Sequence, residues 1–226
     1  MTQTWRDLLF AHWPVPPEDV RPRVPASLPL DVRDGKAWVG VVPFRMTGIR
    51  LRGLPPVPGL SAFPELNVRT YVTVGGKPGV YFFSLDGGSR IAVEVARIFF
   101  HLPYVRARLS CRGDGDGVRY SSLRTDSRLP PAELRVAYRP VGPAAHPEAG
   151  SLDHWLTERY CLYTADRAGR VLRGDIHHAP WPLQPATAEI AANTMAAAAA
   201  ITLPAEPPLL HFARRLDAAL WGLHPA

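Results

Sequence analysis

Within "ELNVRTYV" polar and aromatic side chains recur at every second position, and a β-strand would turn Glu65, Asn67, Arg69 and Tyr71 to one face and Leu66, Val68 and Thr70 to the other. Successive members of such a row stand about 6.6–6.8 Å apart, close enough for a carboxyl, an amide and a guanidinium to act on one small molecule. The same alternation describes an ordinary half-buried strand with a wet face, and the pattern alone does not choose between the two. If the strand closes around an interior, Glu65 and Arg69 must be paired or solvated, because an isolated buried charge costs several kcal/mol. Pairing lowers a carboxyl pKa and desolvation raises it, so Glu65 stays open as acid or base. The planar fork of Arg69 suits the carboxylate of an organic acid.

A second group follows the run "ARIFFHLPYVRA". Tyr104 can donate a hydrogen bond to a ligand carbonyl with His101 carrying a proton, or it can bury an apolar ring and spend its hydroxyl on the backbone. In "IHHAPWP", His177 and His178 are neighbours; on a strand they project to opposite faces and do not readily chelate one ion. One is expected to reach an interior and the other the surface, and His177 is taken as the ligand-facing member.

Other chemistries leave no trace. There is no HxH or HExxH, "GDGDG" lacks the spacing of a calcium loop, and Cys111 and Cys161 are far apart with no CxxC, so neither a metal site nor a disulfide framework is indicated. No phosphate loop, nucleotide-binding glycine pattern or nucleophile elbow is present, and no cofactor is expected.

The elements that must position these residues belong to a chain of 226 residues, 46% hydrophobic, which is read as one domain spanning 1–226. Its 25 prolines and 18 glycines are dispersed, which implies many short elements punctuated by turns. The formal charge is +6, yet Lys36 and Lys77 are the sole lysines. Arginine cannot act as a Schiff-base nucleophile, whereas a desolvated lysine can. The arginines are scattered and no helix carries them as a stripe, so nucleic acid is not an expected partner. The N-terminal "MTQTWRDLLFAHWPVPP" lacks the apolar core of a signal peptide and nowhere do about 18 apolar residues run together, so the expectation is a cytoplasmic protein with no membrane association. A homo-oligomer is compatible with the sequence.

Three hairpins are legible from apolar runs around turn residues: "LNVRTYVTV" and "GVYFFSLD" around "GGKPG", "VRARLSCR" and "VRYSSLRT" around "GDGDG", and "RYCLYTA" and "VLRGDIHH" around "DRAG". "AWVGVVPFRMTGIRL" reads as a bent strand with Pro43 at an edge or bulge, and "GLPPVPGLSAFP" as a proline-stiffened loop. Short helices are predicted near 17–21, in "GSRIAVEVARIFF" with Ser89 as N-cap and Ile91, Val95 and Ile98 or Phe99 on one face, and in "SLDHWLTER" with Ser151 as cap. The alanine-rich "ATAEIAANTMAAAAA" predicts a further helix. "PLLHFARRLDAALW" fits either period.

The spaced set "LLFAHWPVPPE", "AWVGVVPFRM", "FPELNVRTYV", "FFSLD", "ARIFFHLPY", "LTERYCLY" and "IHHAPWPLQPA" resembles the uncharacterised DUF2071, or YqjF-like, family over nearly the whole chain. That family is similar to acetoacetate decarboxylase. The resemblance implies a mainly antiparallel α+β fold, a sheet closed into a cone-like barrel around a ligand cavity with a few peripheral helices, and favours a strand for "PLLHFARRLDAALW". It also implies a glutamate facing the reacting centre, carried onto Glu65, and an arginine carried onto Arg97. The two lysines of the decarboxylase motif fall on Tyr104 and Val105, which have no amine. Two readings follow: a lyase or isomerase acting on a carbonyl or carboxylate compound through Tyr104, Arg69 and Glu65 or His101 without a Schiff-base lysine, or a non-catalytic binder of an organic acid or apolar metabolite.

Overall fold

In a computed structural model of the protein, which describes residues 1–51, 53, 55, 61–166 and 168–226, β1 (Thr2–Val15), β2 (Ala37–Arg50) and β3 (Phe63–Val74) form a central antiparallel wall. Its alternation separates two interiors. Leu9, Ala11 and Trp13 of β1, Val39 and Val41 of β2, and Leu66, Val68 and Val72 of β3 pack into one large hydrophobic core. Leu8 and Phe10, Val42 and Phe44, and Glu65, Asn67 and Arg69 occupy the opposite face, where they line a cavity. The period of two read in "ELNVRTYV" therefore holds, but both faces are buried.

β4 (Lys77–Gly87) follows β3 through the expected hairpin and meets two strands in parallel: β5 (Tyr104–Asp114) at its C-terminal end and β8 (Cys161–Ala165) further back. From β5 the sheet continues through β6 (Gly117–Arg124), β7 (Glu133–Pro140) and β10 (Gln184–Asn193) to β11 (Leu209–Pro225) around the large core; from β8 it continues through β9 (Val171–His178) to β11 around the cavity. β11 pairs with β1, which completes an 11-stranded sheet closed on itself. The result is a ring of strands divided by its own wall, not a regular barrel.

Helices are few. α1 (Pro17–Val20) starts on prolines with Glu18 and Asp19 in its first turn and passes into a short 3-10 turn, as predicted near 17–21. α2 (Arg90–Phe100) is capped by Ser89, whose Oγ accepts from the Ala92 amide, and ends at His101 in the left-handed region with φ of 47°. α3 (Leu152–Thr157) is capped by Ser151 in the same way. No helix among the described residues is long and apolar enough to cross a membrane.

The alanine-rich helix predicted over "ATAEIAANTMAAAAA" is not formed: its first part lies in β10, antiparallel to β7, and only Ala197–Ala199 make a 3-10 turn. Ala186, Ala188 and Ile190 turn towards the core while Thr187 and Glu189 are exposed, so burial at a period of two and a paired ladder outweigh alanine's helix propensity. Pro43 sits at a bulge, where the β1–β2 register jumps from Arg6/Arg45 to Ala11/Val41 around Asp7 in the left-handed region, and no ladder N–H is required of it. The segment read as a proline-stiffened loop lies largely outside the described residues, as do the side chains of Phe99 and Phe100.

The short parallel contact between β4 and β5 is reinforced by a buried ion pair that spans it. Arg124 of β6 donates from Nε and Nη2 to both carboxylate oxygens of Asp86, each at 2.8 Å, and from Nη2 to Ser84 Oγ at 3.0 Å. Breaking such a pair leaves an uncompensated charge in the interior. Asp86→Ala is accordingly expected to lower stability by about 3–5 kcal/mol, read from urea unfolding of the purified protein.

Candidate active site

The cavity measures about 400 Å³ and is predominantly apolar. Phe10, Phe44, Phe63, Phe82 and Trp181 form much of the wall, and the polar side chains of Glu65, Asn67, Arg69, Tyr104, Arg159 and His178 are set into it. That composition, a greasy chamber with a few convergent polar groups, is the usual build of a small-molecule site.

Glu65 is 3% exposed, and one carboxyl oxygen accepts a hydrogen bond from the Tyr104 hydroxyl at 3.0 Å. Burial pushes the Glu65 carboxyl from about 4.5 up to about 8; the Tyr104 donation opposes the rise and nearby Asp86 adds to it. The group is therefore mainly protonated at neutral pH. One oxygen accepts from Tyr104, and its own O–H is available to donate. Tyr104 is pushed well above its ordinary range by burial and by Glu65, so its hydroxyl keeps its proton.

The other end of the row is positive. Arg69 lies across Gly40, where a side chain's first carbon would come within 3.3 Å of Arg69 Cγ. Its guanidinium sits 5.3 Å from the Phe10 ring centre and 5.6 Å from that of Tyr71. Arg159, in the turn after α3, stacks on Trp155 at 4.4 Å and reaches Asp31 at 2.7 Å. Burial and the neighbouring Arg69 both act against the Arg159 charge, while Asp31 supports it. His12 donates to or accepts from the Tyr71 hydroxyl at 2.7 Å and is held neutral by burial and by Arg69.

Of the residues singled out in the sequence, Glu65, Asn67, Arg69 and Tyr104 come together in the cavity wall. His101, Arg97 and His177 do not. His101 is an exposed helix cap whose carbonyl accepts from Thr164, and the Arg97 guanidinium donates to the Tyr104 carbonyl at 2.8 Å, holding the start of β5 against α2. His177 faces outward and His178 lines the cavity, the reverse of the assignment made from the sequence, because the parity of β9 is set by its pairing with β11. His178 is neutral through burial, with Nδ1 2.8 Å from the Ala179 carbonyl. Arg159 had no periodic signal in "LTERYCLY", since it follows a helix in a turn. Lys36 and Lys77 are both exposed, each directly after a turn, and neither lines the cavity. Val105, beside Tyr104, is fully buried on the opposite face. No group of three or more His, Cys, Asp or Glu side chains among the described residues is placed to hold a metal ion.

The model of DUF2071, described as an uncharacterized conserved protein, matches residues 2–217. The chain belongs to the DUF2071 family. It is 51% identical over 223 residues to the uncharacterized protein YqjF of Bacillus subtilis, covering 99% of this chain and 91% of that one. Among solved structures, the DUF2071 chain is similar to the enduracididine biosynthesis enzyme MppR complexed with pyruvate, with a TM-score of 0.66 at 11% identity over 99% of this chain and 89% of that one. It is also similar to an acetoacetate decarboxylase-like enzyme from Sphingomonas wittichii RW1, with a TM-score of 0.65 at 12% identity over 100% and 92% of the two chains. A structure of acetoacetate decarboxylase gives a TM-score of 0.63 at 13% identity over 99% and 91%. These likenesses establish an acetoacetate decarboxylase-like fold for this DUF2071 protein.

The raised Glu65 pKa has a thermodynamic signature. The folded state keeps a proton that the unfolded chain releases above about pH 4.5, so this contribution to stability is complete below pH 4.5 and is lost as pH rises to about 8. The loss is on the order of 5 kcal/mol by linkage. Glu65→Gln is expected to flatten the fall in stability between pH 5 and pH 8, measured by urea titration at each pH.

Proposed function

We propose that the protein is an enzyme acting on a small carbonyl compound, an organic acid with an oxo group, by enol-forming chemistry in which Glu65 is the proton donor and Tyr104 stabilises its carboxylate. The observation that carries this reading is the buried Glu65–Tyr104 pair in the cavity wall, with Glu65 held protonated at neutral pH. A neutral carboxylic acid in an apolar site can donate a hydrogen bond to a carbonyl oxygen and strengthen it as charge develops there.

In the reacting step a C–C or C–H bond beside the carbonyl breaks and its electron pair forms the enol double bond. The carbonyl π pair moves to oxygen, and that oxygen takes the Glu65 proton. The departing fragment leaves as carbon dioxide, or the departing proton goes to water. Glu65 is then a carboxylate accepting from Tyr104, and water returns its proton. In this reading no lysine amine takes part: Lys36 and Lys77 are not among the residues lining the cavity, and guanidinium groups are not nucleophiles of this kind. Non-covalent polarisation by Glu65 and Tyr104 takes the place of an iminium.

The competing reading, a binder without turnover, is favoured by a cavity whose polar groups are all satisfied internally. Here Asn67 Oδ1, Arg69 Nε and Arg159 Nη2 are buried without a hydrogen-bond partner, which supports a site built around a polar ligand.

The test is NMR-monitored cleavage and hydrogen exchange across a panel of oxo acids. Glu65→Gln is expected to lower kcat by about 10²–10⁴-fold. Activity should fall above about pH 8 as Glu65 loses its proton, and because the Tyr104 donation lowers the Glu65 pKa, Tyr104→Phe should move that limb to higher pH. Turnover unchanged in both variants would exclude this mechanism.

A further inference from the structure

Glu65 and Arg69 stand four residues apart on β3, so their backbones are separated by roughly 13 Å. Their side chains then diverge. Glu65 turns towards Tyr104 on β5, while the Arg69 guanidinium lies over Phe10 of β1 and beside Tyr71, away from Tyr104. Arg69 does not appear among the charges acting on Glu65, whereas it does act on Arg159 and His12. The cavity thus has a neutral proton-donating end and a cationic end, on the order of 10 Å apart.

The cationic end is under-neutralised. Asp31 pairs with Arg159, and Asp153 with His211 at 3.3 Å, but no carboxylate among the described residues forms an ion pair with Arg69. The Arg159 side chain is 3% exposed, and its Nη2 has no partner; neither has Arg69 Nε. Two neighbouring guanidiniums that line one cavity, Arg69 with no carboxylate partner among the described residues, are stabilised by one ligand carboxylate, which the planar forks can bracket. The rim carries apolar side chains, Ile91 and Val95 of α2, 60% and 47% exposed, and Leu51, 64% exposed, with Arg50 and Gln3 as polar members of the same lining.

Size argues the same way. At about 30 Å³ per water-sized group, 400 Å³ holds roughly 13 non-hydrogen atoms, about twice the number in a four-carbon oxo acid. We infer that the ligand is an amphipathic oxo acid: its carboxylate is held by Arg69 and Arg159, its oxo group meets Glu65 and Tyr104 several carbons away, so that the C–H branch of the enol chemistry applies and this carboxylate is not lost, and its apolar tail runs to the rim at α2. This assignment rests on the proposed role of the Glu65–Tyr104 pair for the oxo group, but not for the carboxylate or the tail.

The test is calorimetric binding of acetate, butyrate, hexanoate and octanoate and of their methyl esters to the full-length protein. Affinity is expected to rise about fourfold per methylene up to octanoate, and each ester to bind at least tenfold more weakly than its acid. Arg159→Gln should abolish the preference for acid over ester while keeping the dependence on chain length. Arg69→Gln provides the same readout should loss of the tie to Asp31 unfold the first variant. Acetate binding as tightly as octanoate, or ester binding as tightly as acid, overturns the assignment. Octanoate binding as expected with no turnover of any oxo acid leaves this ligand class standing and removes the enol chemistry; turnover of short oxo acids with no gain for longer ones does the reverse.

Discussion

A strand buried on both faces has no solvent side on which to leave a polar group, and β1, β2 and β3 are in that position along most of their length. One face is fixed by apolar packing, since Leu9, Val41, Leu66 and Val68 belong to the large core. A one-residue slip in this wall would drive Glu65 or Arg69 into that core and move its aliphatic residues into the cavity. The placement of the polar row is thus a consequence of core packing, and each member of the row has a different way of tolerating burial. Glu65 keeps its proton, Arg69 spreads its charge over two aromatic faces, and His12 stays neutral against Tyr71.

The residues around α2 show how side chains that look chemical can serve geometry. Tyr104 reaches Glu65 only if the start of β5 is held in register with the end of β4, a parallel contact limited to Leu85–Gly87 and Tyr104–Arg106. Arg97 grips the Tyr104 carbonyl from α2, His101 makes the left-handed exit from the helix, and Thr164 of β8 donates to the His101 carbonyl. On the far side, Arg124 and Asp86 tie β6 to β4. The hydroxyl of one tyrosine is therefore placed by contacts from a helix, a cap and two further strands.

Much of this was legible in the sequence where local physics and tertiary context agree. Hairpins around "GGKPG", "GDGDG" and "DRAG", the caps at Ser89 and Ser151 and the alternation in "ELNVRTYV" all depend on short-range turn chemistry and periodicity, and all were found. The alanine-rich segment defeats a local reading because its partners in β7 lie 46 to 59 residues away in the chain, from Ala186/Pro140 to Asn193/Leu134, and pairing of that range leaves no local mark. His177 and His178 could not be told apart because alternation fixes that two neighbours differ in face, not which one is inside. Arg159 escaped notice for the same reason that it matters: it sits in a turn, and only the closure of β8 and β9 against β11 brings it beside Arg69.

The two ends of the cavity impose opposite demands, and the wall meets both with a single strand. A carboxyl stays protonated only where no cation is close enough to stabilise its anion, and no guanidinium is among the groups acting on Glu65: that of Arg124 is spent on Asp86 and that of Arg97 on the Tyr104 carbonyl. A carboxylate ligand is held only where cations are close and poorly neutralised. Had Arg69 pointed towards Glu65, the pair would have neutralised each other and the carboxyl would have ionised, leaving neither group in the state that the proposed proton donation and anion binding require. Asn67, uncharged and midway between them, is the residue type that keeps the two regimes apart without adding a charge to either. The absence of lysine from the wall follows the same logic: an amine next to Glu65 would take its proton, whereas the tyrosine hydroxyl can only lend it a hydrogen bond.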